Sequence, residues 1–103
     1  MVYNVVLSPR ANREVEQILL YLDEHWYAEI IDRFMTDLAN TLYRIQRYPF
    51  SFPGVEGDES ARKAQLLPFY SVFYEVEADV IRILSVFDQR QNPDKLKSIL
   101  SRD

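Results

Sequence analysis

Residues 69–87 read FYSVFYEVEADVIRILSVF, and this stretch decides the fold. β-branched and aromatic residues dominate both sides of Glu77-Ala78-Asp79, which is short enough to be a tight turn. The composition predicts one strand at Phe69–Val76 and another at Val80–Phe87, and the short connection favours antiparallel pairing. A period of two along the second strand places four side chains on one face: Ile81, Ile83, Ser85 and Phe87.

The segment before these strands predicts a further strand and a loop. Arg62–Pro68 is the expected strand. Residues 49–61 contain both glycines, two prolines and three clustered carboxylates, a composition typical of a surface loop. The carboxylates do not match the ligand pattern of a calcium-binding loop, so we expect all three side chains to be exposed to solvent: Glu56, Asp58 and Glu59.

The N-terminal half predicts a strand followed by two helices. Residues 2–7 (VYNVVL) have strand composition, Ser8 suits a helix N-cap, and Pro9 suits the first position of a helix that runs to about residue 24. Two helices joined by a short link are expected to form an antiparallel hairpin. The second helix ends at about Tyr48, before Pro49, and its apolar stripe steps by three and four through Ile31, Phe34, Leu38, Leu42 and Ile45.

The C-terminal residues predict a short helix. Asn92 suits its N-cap and Pro93 its first position, and an apolar stripe follows at Leu96, Ile99 and Leu100. The predicted order is therefore β-α-α-β-β-β with a terminal helix. We expect a single α+β domain over residues 1–103, with the helical hairpin packed on a small antiparallel sheet.

Composition excludes several classes of function. The chain has 103 residues, no cysteine, one histidine and a net charge of −4. Disulfides and thiolate metal sites are therefore excluded, and a strong non-specific hold on nucleic acid is not expected. No segment resembles a signal peptide or a membrane span, so the cytoplasm is the expected location.

The order of elements, with these residues, resembles the RelE/ParE toxin superfamily of bacterial toxin–antitoxin pairs. The resemblance covers roughly residues 3–93. In the N-terminal half it rests on the strand ending in Leu7-Ser8 and on the second helix running into Pro49. In the C-terminal half it rests on three strands: one opened by Arg62, one containing Phe69–Tyr74, and one at Val80–Val86 that is followed by Arg90 and Pro93.

Within the superfamily, the chain is more similar to the ParE branch than to the RelE-type ribonucleases. Ser71 occupies the strand position where those ribonucleases have an arginine, and the acidic Asp88 follows the last strand. RNA cleavage needs an acid, a base and cations around the phosphate, whereas Ser71 can only form hydrogen bonds and Asp88 would repel the phosphate. Three groups remain as weak catalytic candidates for a divergent mRNA endonuclease: Arg62, Lys63 and Arg90.

The ParE resemblance implies a toxin that binds its target and is neutralised by a cognate antitoxin. DNA gyrase is the implied target, and no metal or cofactor is implied. A homodimer and a heterotetramer with the antitoxin are the implied assemblies. The alternatives are the divergent endonuclease and a non-toxic interaction domain with the same fold.

Six residues are candidates for partner contact: Trp26, Tyr70, Arg90, Leu96, Ile99 and Leu100. Each also has a structural interpretation, which for Leu96, Ile99 and Leu100 is packing on the sheet of the same domain. Trp26 suits a plug under the hairpin turn, Tyr70 suits the core, and Arg90 suits a loop anchor through Asp88. Arg62 and Lys63 suit a solvated pair beside the acidic loop, and Arg82 suits a cross-strand partner for Glu75 or Glu77.

Overall fold

Two helices form at the predicted positions. The computed structural model describes residues 2–66 and 68–91, so the predicted C-terminal helix with Leu96, Ile99 and Leu100 lies outside the described residues. Helix α1 spans Pro9–His25 and helix α2 spans Ala28–Arg47. As predicted, Pro9 occupies the first turn, and the Ser8 hydroxyl caps α1 by accepting a 3.0 Å hydrogen bond from the Ala11 amide. The same hydroxyl donates to the Leu84 carbonyl, which ties the start of α1 to the sheet.

The helices pack on one five-stranded sheet. Its strands are β1 (Asn4–Leu7), β2 (Gly54–Val55), β3 (Asp58–Leu66), β4 (Tyr70–Glu77) and β5 (Val80–Asp88), in the spatial order β1-β5-β4-β3-β2. The predicted α+β class is confirmed, and β3, β4 and β5 pair antiparallel as predicted.

The prediction of a wholly antiparallel sheet is wrong for β1, which runs parallel to β5 from Asn4↔Val80 to Leu7↔Ile83. The rule that short connections give antiparallel pairs applies only to strands adjacent in sequence. Strand β1 is separated from β5 by the helical hairpin and three other strands, so turn length carries no information about its direction.

The segment predicted as a loop at 49–61 contains strand structure. Strand β2 pairs with β3, and β3 begins at Asp58, four residues before the predicted start. The turn between them, Glu56-Gly57, uses a φ of 84° at Gly57, a conformation that glycine adopts without steric cost. The sequence predicted a loop here rather than a hairpin because glycine and acidic residues are depleted in strands.

A β-bulge in β5 changes which side chains face the helices. Phe73 pairs with Ser85 whereas Tyr74 pairs with Ile83, so Leu84 is an extra residue. The predicted common face is therefore wrong for Phe87. Ile81 and Ile83 enter the main core, whereas Phe87 lies on the other face, with its ring 6.3 Å from that of Phe73.

The main core lies between the helices and the sheet. The predicted stripe of α2 supplies Phe34, Leu38 and Ile45 as buried residues, and Ile31 and Leu42 pack beside them. Burying a side chain of this size contributes roughly 1.5–3 kcal/mol. The predicted cross-strand pair also forms, with Arg82 Nε 3.7 Å from Glu75 Oε1.

Candidate functional site

A mostly apolar groove lies between the tip of the helical hairpin and the residues just before β4. It has a volume of about 400 Å³. Three residues predicted to contact a partner, Trp26, Tyr70 and Arg90, all line it, although they lie far apart in sequence. The rest of the wall includes two aromatic side chains, Phe34 from α2 and Phe69 from the turn before β4.

Arg90 supplies a fixed positive charge to this groove. Its Nε donates a 2.9 Å hydrogen bond to Asp88 Oδ1, and its Nη2 donates a 2.8 Å bond to Oδ2. The guanidinium carbon lies 4.5 Å from the centre of the Phe69 ring. The hydrogen bonds from Arg90 lower the pKa of Asp88, and those to Asp88 raise the pKa of Arg90. Arg90 is therefore both the anchor of its loop and part of the groove wall.

Tyr70 and Trp26 differ in how much of each side chain is buried. Tyr70 is buried, its ring meets Phe34 edge to face at 5.4 Å, and burial raises the pKa of its hydroxyl. Trp26 is 53% exposed at the C-terminal end of α1, so it does not plug the hairpin turn. An exposed tryptophan on the rim of an apolar groove is typical of a binding hot spot.

A larger, more polar cavity of about 710 Å³ adjoins the groove and shares Tyr21, Tyr70 and Arg90 with it. Its walls come from α1 and from the end of β5. The charged residues that line it are Arg10, Arg13, Glu14, Asp88 and Arg90.

Glu14 joins α1 to the bulged part of β5. One of its carboxylate oxygens accepts a 2.8 Å hydrogen bond from the Ser85 hydroxyl and a 3.2 Å bond from the Val86 amide. Burial raises the pKa of Glu14, and these hydrogen bonds, with Arg10 and Arg13, oppose that shift. The carboxylate thus satisfies a backbone amide next to the bulge.

Arg62 and Lys63 do not reach the groove. Arg62 Nη1 donates to the carbonyl oxygens of Phe52 at 2.6 Å and Phe50 at 3.2 Å, so it holds the turn after α2 rather than pairing with the acidic hairpin. Lys63 pairs with Phe73 on the opposite face of the sheet. The two basic residues are therefore not part of one site.

Arg62 and Arg90 are also separated along β4. Arg62 pairs with Tyr74, whereas Arg90 lies beyond Asp88, the partner of Tyr70. Four residues along a strand correspond to about 13 Å. The three weak catalytic candidates therefore do not converge on one point.

The strand position where the resemblance expected an arginine holds a neutral cluster. Ser71 is buried, and its hydroxyl accepts a hydrogen bond from the Gln89 side chain. Gln89 also donates a 2.9 Å bond to Gln65. This position therefore presents amide and hydroxyl groups and no charge.

Eight residues of the groove wall were not among the predicted contact residues, and three of these eight are aromatic: Tyr21, Phe34 and Phe69. Phe34 was assigned only to the core, where it also lies. Phe69 was assigned to a strand, but β4 begins one residue later and leaves it 44% exposed. The proline before Phe69 was the available signal, because proline marks turns and loops and so favours a break between the two strands at this point.

Residues 2–66 and 68–91 contain neither a cluster of metal ligands nor a membrane-spanning helix. No three His, Asp or Glu side chains there lie close enough together to hold a metal ion. No helix in those ranges is both long and apolar enough to cross a membrane.

Comparison with known proteins gives one family and several similar structures. The family described as ParE toxin of type II toxin–antitoxin system, parDE, matches residues 5–93. A chain of the chromosomal ParDE system of P. aeruginosa superposes with a TM-score of 0.71 at 15% identity, over 84% of this chain and 96% of that one. No curated protein sequence matches this chain.

Two structures of another toxin–antitoxin pair also share the fold. The E. coli DinJ-YafQ complex has a TM-score of 0.60 at 14% identity, over 85% of this chain and 93% of that one. A YafQ mutant from E. coli has a TM-score of 0.58 at 15% identity, over 84% and 93% respectively.

Proposed function

This chain belongs to the ParE family of toxins from type II toxin–antitoxin systems, and from that premise we propose that it acts by binding a target protein, DNA gyrase, without cleaving RNA. Its cognate antitoxin is the partner that neutralises it. DNA gyrase acts on chromosomal DNA, so the proposed site of action is the cytoplasm.

One observation supports binding over cleavage more than any other: Arg62 and Arg90 already have partners. Arg62 donates to two backbone carbonyls, and both carboxylate oxygens of Asp88 engage Arg90. A ribonuclease needs free cations near the phosphate and a base near the 2′-hydroxyl. Here a carboxylate stands beside one candidate cation, and about 13 Å separates the two along β4.

The groove fits the antitoxin better than it fits a small substrate. Its apolar walls and exposed Trp26 match the anchor pockets of protein interfaces, in which a few aromatic residues and arginines carry most of the binding energy. We propose that an amphipathic antitoxin segment places an apolar side chain between Trp26 and Phe69. A carboxylate on that segment would meet the fixed charge of Arg90.

The test expresses the toxin alone and then with its antitoxin, and follows colony formation, mRNA integrity and plasmid supercoiling. We expect growth arrest with intact mRNA and altered supercoiling, and we expect the antitoxin to restore growth. In vitro, the purified toxin should inhibit supercoiling by purified gyrase. Size-exclusion chromatography of the toxin–antitoxin complex reports whether a heterotetramer forms.

Two results would contradict the proposal. Growth arrest with cleaved mRNA would instead establish an endonuclease and would make Arg62 and Arg90 the residues to mutate. Soluble toxin that neither arrests growth nor inhibits gyrase, but still binds the antitoxin, would establish a non-toxic interaction domain.

A further inference from the structure

A second exposed surface lies at the C-terminal end of α2 and is not part of the groove. We name it the aromatic–arginine surface and define it as Tyr43, Arg44, Arg47, Tyr48 and Phe50. Tyr43, Tyr48 and Phe50 are each 58–60% exposed. Arg47 lies 5.9 Å from the ring centres of both tyrosines, so the patch is continuous. Tyrosine and arginine are enriched at the centres of protein interfaces.

The charge of this surface is opposite to that of the chain. The chain has sixteen acidic residues, yet residues 38–55 contain none. Within the described ranges neither Arg44 nor Arg47 forms an ion pair with a carboxylate, whereas Arg33, Arg82 and Arg90 each do. The helix dipole favours arginines in the last turn, but it gives no reason for exposed aromatic side chains around them.

The backbone beneath the surface is held firmly. The Tyr74 hydroxyl donates a 2.6 Å hydrogen bond to the Pro49 carbonyl, and Arg62 fastens the carbonyls of Phe50 and Phe52. On the other side Gln46 donates to the Tyr3 carbonyl at 2.8 Å. Aromatic side chains on a fixed backbone lose little freedom on binding, which favours affinity.

The groove is lined by side chains from the first half of α2, from Ile30 to Asp37, whereas the surface lies at the C-terminal end of the same helix. Six residues, or about 9 Å along the helix axis, separate Asp37 of the groove from Tyr43 of the surface. The two sites also differ in character: the groove is concave and mostly apolar, whereas this surface is exposed, aromatic and basic. Different partners suit the two sites.

We propose that the aromatic–arginine surface binds an acidic surface of the target protein, and that the antitoxin anchors elsewhere, in the groove. This assignment rests on the proposed function, in which the toxin acts by binding. Arg44 and Arg47 would pair with carboxylates of the target, and Tyr43, Tyr48 and Phe50 would pack against its apolar atoms. Association should therefore weaken as salt concentration rises.

The experiment uses the full chain with two variants, Arg47→Glu and Tyr48→Ala. The matched controls are Arg82→Glu, which makes the same charge change on β5, and Tyr27→Ala, which removes an exposed tyrosine at the other end of α2. Thermal unfolding confirms that each is folded. The readouts are colony counts after induction, binding to purified gyrase and binding to the purified antitoxin.

We expect each test variant to weaken toxicity and gyrase binding at least tenfold and to leave antitoxin affinity within about twofold of wild type. The controls should retain both activities. If wild type arrests growth without binding gyrase, the gyrase target fails, and the loss of growth arrest in Arg47→Glu still decides the role of the surface. A wild type that neither arrests growth nor binds gyrase contradicts both proposals.

Other results would overturn the inference alone. Unchanged toxicity and gyrase binding in both test variants would exclude a role for the surface, and loss of antitoxin binding would assign it to the antitoxin. Binding of single-stranded RNA by wild type, lost in Arg47→Glu, would make it a nucleic-acid surface. Self-association of wild type, lost in the same variant, would make it a contact between two copies of the toxin.

Discussion

The hydroxyl of Tyr74 donates a 2.6 Å hydrogen bond to the carbonyl oxygen of Pro49 and so fastens the turn after α2 to the middle of the sheet. Tyr74 is fully buried, and the edge of its ring meets Phe52 at 6.2 Å. One side chain thus serves both the main core and the base of the aromatic–arginine surface.

Replacing Tyr74 with phenylalanine should destabilise the fold by about 1–3 kcal/mol, because the buried Pro49 carbonyl loses its donor. The pKa of Tyr74 rises from an ordinary 10.0 to about 12 on burial. The resulting stability is present below pH 10 and is lost as the pH rises from 10 to 12. Urea unfolding should therefore show a smaller loss of stability over that interval in Tyr74→Phe than in wild type. An equal loss in both would contradict this; Tyr43→Phe, at an exposed hydroxyl, is the control.

Glu14→Gln should change stability in a pH-dependent way. Burial raises the pKa of Glu14, so the folded state favours the neutral carboxyl, and stability is lost as the pH rises through the folded pKa. Glutamine removes that cost. The difference in Tm, variant minus wild type, should become more positive as the pH rises from the ordinary pKa of a glutamate through the raised pKa of Glu14. Glu16→Gln, at an exposed position of the same helix, should show no such trend. A difference that stays constant or falls with pH would contradict the effect of burial.

Ala78→Gly should stabilise the hairpin between β4 and β5. Ala78 has a φ of 55°, which lies in the left-handed region where a Cβ costs about 1–2 kcal/mol. Glycine loses roughly 0.5–1 kcal/mol of that gain through chain entropy, so a net increase of about 0.5 kcal/mol in unfolding free energy is expected. Chemical denaturation measures it. Asp79→Gly, at the neighbouring turn position, should not stabilise, and a gain there equal to that at Ala78 would contradict the explanation.

Trp26→Ala should weaken antitoxin binding by about 2 kcal/mol, or roughly thirtyfold, because a hot-spot tryptophan loses its buried contact. Tyr27→Ala is the matched control, since Tyr27 follows it in the same link, is 77% exposed and does not line the groove. Isothermal titration calorimetry with the purified antitoxin measures both. Equal affinities for the two variants would place the antitoxin elsewhere.

Local signals predicted much of this fold. Ser8-Pro9 and Pro49 mark helix ends through backbone chemistry that acts within a few residues, and both helices end within a residue or so of their predicted limits. The antiparallel strands followed from the tight turn at residues 77–79. These features depend on short-range sterics and hydrogen bonding, which a sequence displays directly.

Long-range relationships were not predictable in the same way. The bulge at Leu84 depends on how β5 fits β4 and α1, and no residue in the sequence marks it. Arg62 was recognised as notable, but its carbonyl partners come from a turn whose path only the fold defines. The groove was predictable in part: Trp26, Tyr70 and Arg90 were identified singly, whereas their meeting depends on the packing of α2 against the sheet.

The parallel pairing of β1 with β5 sets the stage of chain synthesis at which the sheet can be completed. Asn4 is synthesised 76 residues before its partner Val80. Until then β1 has no neighbour in the sheet, and the loop that must close is almost the whole chain, which slows folding. The toxin therefore completes its sheet only after β5 has been synthesised. An incomplete nascent chain, or one truncated before β5, lacks the strand that joins β1 to the rest of the sheet.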